Sequence, residues 1–210
     1  MTEKESPQKA IVYIDGYNFY YGLKKLGLRK YLWLNFDELS RKLLLPHQRL
    51  VKIKYFTSSE IFSEESRKRQ DTYLDALSTL HLLKRYMGHF QNDSDRWCVK
   101  CKQFVPDTRE KRTDVNLTTE LLVDAFKNKF DVAILITSDS DFIAPIEAVI
   151  NNFDKKRVFT AISPGRTSKA LRGISSGIII ITEEMLGDCQ FPDSVKGKTG
   201  FELIRPAEWK

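Results

Sequence analysis

Four short runs in this 210-residue chain are continuously apolar and rich in β-branched residues: 11–14, 132–137, 158–162 and 177–182. Hydrophobicity that does not alternate marks strands covered on both faces, the habit of parallel sheets. A fifth run, 50–57, alternates Val51, Ile53 and Tyr55 with Lys52, Lys54 and Phe56, which fits a more exposed strand. Helical periods stand between the runs. They cover 36–45; 64–85, with Tyr73, Leu74, Leu77, Leu80 and Leu83; 114–126, with Leu117, Leu121, Leu122 and Ala125; and 141–150, with Phe142, Ile146 and Val149. Strand and helix in alternation specify an α/β fold, a three-layer sandwich whose mostly parallel central sheet is flanked by helices.

Residues 1–9 are expected to form a flexible N-terminus and 10–186 one domain, interrupted at 87–112 by an insertion or hairpin that carries Cys98, Cys101 and Pro106. Residues 187–210, polar with Gly197, Lys198 and Gly200, are expected to form a loosely packed tail. A hydrophobic share of 41% over this length suffices for one substantial core. The net charge of +6 favours polyanionic partners, and it is a sum of unlike parts: 41–112 and 152–187 are basic, whereas 113–151 is acidic. No apolar run reaches the roughly 18 residues of a membrane span, and the first residues lack a signal-peptide apolar core. Three cysteines are too few for a disulfide framework in a chain this long, so a cytoplasmic setting is expected.

The positions of four acids carry the functional information. Asp15 directly follows the run 11–14, and Asp139 and Asp141 follow the run 132–137, which puts them at the carboxyl ends of strands, where open α/β sheets bind ligands. Asp114 opens a helix with Thr113 as a candidate N-cap, and Lys111 and Arg112 lie in the loop before it. Carboxylates gathered in one cleft repel one another by about 4 kcal/mol per pair at about 4 Å. Either some protonate, or a hard divalent cation such as Mg²⁺ or Mn²⁺ binds; such a cation activates water and stabilises charge on a phosphoryl group. Taken singly, each acid is equally explained as an N-cap.

The segments IVYIDGYNFYYGLKK, KRTDVNLTTELLVDAF and DVAILITSDSDFIAPIEAV, in that order, resemble the NYN domain of the LabA-like branch, a relative of PIN-domain ribonucleases, over residues 10–182. The resemblance implies a PIN-like, Rossmann-like sandwich and metal-dependent endonuclease chemistry on RNA, with single-stranded DNA as the alternative substrate. It carries catalytic roles to Asp15, Asn18, Asp114, Asp139 and Asp141. The four acids would hold one or two Mg²⁺ or Mn²⁺ ions, Asp141 directly or through water, and Asn18 would orient water or a phosphate oxygen unless it is a helix N-cap. Thr137-Ser138 stands where Ser-Gly is frequent in the family, and Arg112 precedes Thr113-Asp114 where smaller residues are frequent. The rival from another class is a regulatory RNA-binding or protein-interaction module with little or no activity. A haloacid dehalogenase-type phosphatase needs a second acid two residues after the first, where Tyr17 stands, and no Walker loop or full Gly-x-Gly-x-x-Gly occurs.

Several further residues invite roles. The loop 163–169, with Arg166 and Lys169, suits a phosphate or is an ordinary capped turn; Lys111 and Arg112 are further phosphate candidates. Tyr17, Phe19, Tyr20 and Tyr21 could stack on bases, but their helical spacing places most of them in the core, and Tyr17 is the one singled out for stacking. Cys98 and Cys101 have zinc-ligand spacing but lack a second pair. A site completed by His81 or His89, a site shared across a homodimer, and free or redox-active thiols all stay open.

Overall fold

Parallel pairing throughout the central sheet fixes the architecture of this computed structural model, which describes residues 6–59 and 63–210, with the backbone alone for 90–96 and 105–110. In chain order the strands are β1 (Gln8–Asp15), β2 (Gln48–Thr57), β3 (Leu83–Met87), β4 (His89–Cys98), β5 (Gln103–Lys111), β6 (Val132–Ile136), β7 (Arg157–Ile162), β8 (Gly177–Ile180), β9 (Ser194–Lys196) and β10 (Glu202–Ile204). The six-stranded sheet runs β3-β2-β1-β6-β7-β8, and β4 and β5 form a separate antiparallel hairpin, as the insertion was expected to. Chain order proceeds outward in both directions from the β1/β6 boundary, which makes that boundary the topological switch point.

Both faces of β1 and β6 are buried, which is why their runs are continuously apolar; the run 177–182 instead forms edge strand β8, which is only half-buried, with Ile180 exposed. Ala10, Val12 and Ile14 of β1 join a core with α1 (Gly16–Lys25), α2 (Phe36–Lys42), α3 (Glu64–Ser78) and α7 (Glu183–Asp188). Ile11 and Tyr13, pointing the other way, join α4 (Thr113–Phe126), α5 (Ile143–Asn152) and α6 (Lys169–Ile174).

Four sequence expectations are corrected. The helix expected over 64–85 stops at Ser78, where Ser78 and Thr79 turn their hydroxyls onto the carbonyls of Asp75 and Ala76; Leu83 then begins edge strand β3. Residues 8 and 9 belong to β1, whereas residues 1–5 of the expected flexible N-terminus lie outside the described residues. Strand β2 is not an exposed strand: it lies between β1 and β3, and Lys54 is 6% exposed. Residues 187–210 are not loosely packed. Trp209 is buried against Trp33 and Tyr73, Phe191 packs on Trp33, and the Trp33 indole N–H donates to the Pro192 carbonyl at 2.8 Å.

Lys54 is buried because charge surrounds it. Its ammonium pairs with Glu120 at 2.5 Å and with Asp124, while the Tyr13 hydroxyl donates to Asp124 at 2.7 Å and the Tyr86 hydroxyl to Glu120 at 2.8 Å. Burial alone would raise the Glu120 carboxyl; hydrogen bonds from Lys54 and Tyr86 outweigh it and hold Glu120 below its ordinary range. Removing the Lys54 ammonium leaves Asp124 without its ion pair. Lys54→Met is therefore expected to cost about 3 kcal/mol in urea unfolding, and a loss below about 1 kcal/mol would contradict the cluster's role.

Candidate functional site

The carboxyl ends of β1 and β6 flank the switch point. Asp15 ends β1 and also caps α1: its Oδ1 accepts the Asn18 N–H at 3.0 Å. Asp15, and not Asn18, is therefore the N-cap of α1. Gly16 is required beside it, since a Cβ there would stand 2.7 Å from both the Phe56 carbonyl oxygen and the Tyr55 ring. The helix begins hard against β2, and Asp15 is left 4% exposed.

One hydroxyl ties this carboxylate to its surroundings, and a second ties its neighbour Asn18. The Thr137 hydroxyl donates to Asp15 Oδ2 at 3.1 Å, and its oxygen accepts the Asp139 N–H at 3.2 Å. Asp139 Oδ1 accepts the Asp141 N–H at 3.0 Å, capping the short 3-10 turn Ser140–Phe142. Asn18 Oδ1 accepts from the Ser138 N–H at 3.2 Å and from the Ser138 hydroxyl at 2.9 Å. Ser138 Oγ in turn accepts a guanidinium N–H of Arg166 at 2.9 Å. A relay of Arg166, Ser138 and Asn18 therefore binds the loop after β7 to the first turn of α1.

Burial pushes the Asp15 carboxyl up to about 6, and repulsion from Asp114 and Asp139 adds to the rise against the opposing hydrogen bonds from Asn18 and Thr137. Asp114, in the first turn of α4, thus bears on the same charge from a different segment. Thr113 does not form the expected cap: Arg112, at φ 80, holds the cap position, and Thr113 is the buried first residue of the helix.

The structure gathers Asp15, Asn18 and Asp139 by hydrogen bonds, Asp114 through its field, and Arg166 through Ser138. Asp141 is exposed, and its N–H serves Asp139. Lys111 and Arg112 are exposed ahead of α4, and Lys169 is exposed at the start of α6. Tyr17 is half-buried, with its ring 5.6 Å from that of Tyr21. Cys98 and Cys101 sit at the turn of the β4–β5 hairpin, away from the central sheet.

Among the described residues, no three His, Cys, Asp or Glu side chains stand at metal-holding spacing. The chemistry of the acids nevertheless fits a hard divalent cation, since they are oxygen donors from three segments, one of them buried against like charges that a cation relieves. Beside them lies a cleft of about 340 Å³ lined by Gly22, Lys25, Ser138, Gly165, Arg166 and Thr167. A second, narrow pocket is lined by Tyr17, Tyr20, Tyr21, Phe36, Tyr55, Tyr73 and Trp209, with Gly16, Arg69 and Gln70. Sequence reasoning missed this pocket and the roles of Thr137 and Ser138; their departure from the family's usual Ser-Gly was the available signal.

An NYN domain family model matches residues 9–182. The chain is 28% identical over 244 aligned residues to 6-hydroxy-3-succinoylpyridine 3-monooxygenase HspA of Pseudomonas putida (strain DSM 28022 / S16), covering 97% of this chain and 76% of that protein. The crystal structure of a protein of unknown function from Vibrio parahaemolyticus RIMD 2210633 matches with a TM-score of 0.57 at 16% identity, over 87% of this chain and 98% of that one. That likeness shows the fold.

The raised Asp15 pKa has a definite sign. Stability is fully present below the ordinary carboxyl value of 3.8 and is lost as pH rises through about 6, because the native state then holds a buried charge. Asp15→Asn keeps an acceptor for the Asn18 N–H and carries no charge. In chelator it is expected to exceed the wild type by up to about 3 kcal/mol at pH 8, with the gap closing toward pH 4. Denaturant unfolding at both pH values checks this, and a gap independent of pH would contradict it.

Proposed function

From the premise that this chain belongs to the NYN domain family, within the PIN-like nuclease superfamily, we propose that it is a metal-dependent endoribonuclease of the LabA-like branch, acting in the cytoplasm. The supporting observation is the Asp15 carboxylate, buried at the sheet's switch point and loaded with like charge from Asp114 and Asp139. Such a group rests comfortably only with a proton or a cation beside it. Asp15, Asp114 and Asp139, with Asp141 directly or through water, would hold one or two Mg²⁺ or Mn²⁺ ions, which supply Lewis acidity and activated water.

The remaining roles belong to the chain's own side chains. Thr137 fixes the Asp15 carboxylate against the Asp139 backbone and so sets the distance between two donors. Asn18, with Oδ1 engaged by Ser138, leaves its NH₂ to donate to a phosphate oxygen. Arg166, held by Ser138 in the cleft beside Lys25 and Thr167, takes an adjoining phosphate as a charged fork. Lys111, Arg112 and Lys169 extend the basic rim, and Tyr17 offers a ring to a base.

The aromatic pocket favours a second reading. It adjoins Asp15 through Gly16, and its rings suit a planar heteroaromatic, the class named in the pyridine-acting relative.

With Mn²⁺ the wild type is expected to cleave single-stranded RNA faster than single-stranded DNA, and chelator to stop it. Asp15→Asn and Asp139→Asn should each slow cleavage by at least about 10²-fold. Metal binding without cleavage of either polymer would select the binding-module alternative, and affinity for a hydroxypyridine carboxylate without affinity for RNA would select the small-molecule reading. Arg166→Ala should weaken RNA binding and reduce the log–log salt slope by about 0.7, measured by fluorescence anisotropy across a salt series. An unchanged slope would remove Arg166 from the phosphate contacts.

A further inference from the structure

The β4–β5 hairpin stands outside the cleft chemistry. Its two strands pair with each other and not with the central sheet, and its turn carries Cys98-Val99-Lys100-Cys101. The turn is closed by the Lys102 N–H on the Cys98 carbonyl at 2.8 Å, and Lys102 adopts φ 52, so the chain doubles back immediately after the second cysteine. Both cysteines therefore belong to one tight turn, with Cys98 at its entry and Cys101 one residue before its exit. No disulfide joins them.

A C-x-x-C in a reducing setting has two familiar uses. A redox pair sits at a helix N-terminus, whose dipole favours the thiolate; here antiparallel strands flank the turn on both sides. A zinc site uses paired cysteines as two of four tetrahedral thiolate ligands. Among the described residues, no third His, Cys, Asp or Glu completes a metal cluster. Among the described residues one chain thus supplies two of the four ligands, and a second copy supplies the same two again, since a two-fold axis through the metal makes two plus two.

The surface around the turn agrees with burial against an identical surface. Trp97 and Phe104 face each other across the strands, edge to face at 5.3 Å, and are 54% and 67% exposed; Val99 between the cysteines is 83% exposed. Large apolar side chains this exposed, at the end of an arm, are what a protein contact covers. Lys100 and Lys102, both exposed, would bring four ammonium groups to a paired turn, where they offset the negative charge of a tetrathiolate zinc complex. Without the metal the same lysines repel one another, so pairing and zinc are linked.

We propose that the turns of two chains jointly bind one zinc ion through Cys98 and Cys101 of each, making zinc the clasp of a homodimer. The proposal is independent of the nuclease reading, because it draws on no residue of the cleft. The full chain, purified in reductant without chelator, is expected to contain about 0.5 zinc per chain and to run as a dimer by light scattering. A strong zinc chelator should convert it to monomer, and added zinc should restore the dimer. Cobalt(II) in place of zinc should give the visible spectrum of tetrahedral sulfur coordination. Cys98→Ser and Cys101→Ser should lose both zinc and dimer while keeping the far-ultraviolet melting transition of the sheet, and the chelator arm stands even where a variant misfolds. One zinc per monomer, no zinc, a Cys98–Cys101 disulfide, or a dimer indifferent to chelator would each overturn the proposal.

Discussion

A single hydroxyl holds the acidic cleft together. Thr137 donates to Asp15 and accepts from the Asp139 backbone, so the last residue of β1 and the turn after β6 are locked to each other across the switch point. Without that bond, the turn that carries Asp139 would lose this side-chain tie to the end of β1. With it, Asp139 stays close enough that its charge, with that of Asp114, adds to the burial that raises Asp15. Ser138, the next residue, repeats the device one step outward by joining Asn18 to Arg166. The strain of like charges is thus maintained by hydrogen bonds from uncharged neighbours, a common way for a functional site to be stored in a stable fold.

The sheet supplies the rigidity on which this depends. Strands β1 and β6 are buried on both faces, and chain order runs outward from the boundary between them. A second charged cluster, Lys54 with Glu120 and Asp124, is balanced by its cation and by two tyrosine hydroxyls. The contrast is chemical: one ammonium and two tyrosine hydroxyls engage the carboxylates that fasten β2 to α4, whereas at the strand ends burial and like charge raise the Asp15 carboxyl. The proposed cation would relieve that load.

Strands β1 and β6 were legible because both their faces are covered, and the acids were legible because strand ends lie where apolar runs stop. Other features left weaker traces. Leu80 and Leu83 keep helical spacing with α3, so nothing in the periodicity marks where Ser78 and Thr79 end it. Lys54 alternates like a surface residue, and only its distant partners in α4 explain its burial. Phe191 and Trp209 are isolated apolar residues in a polar segment; their partner Trp33 lies far away in sequence, and long-range packing of that kind has no local signature. Thr137 and Ser138 were visible only as departures from a pattern, since a hydroxyl's role is set by what folding brings beside it.

The central claim, that the cleft is poised for a cation, is tested most directly by calorimetric titration of Mn²⁺ into the wild-type chain at pH 6 and pH 8 in buffers of different ionisation enthalpy. A cation that occupies the site must displace the proton on Asp15, whose carboxyl sits at about 6. Binding at both pH values is expected, with release of about half a proton at pH 6 and almost none at pH 8. Absence of binding, or binding whose proton release does not change with pH, would contradict it.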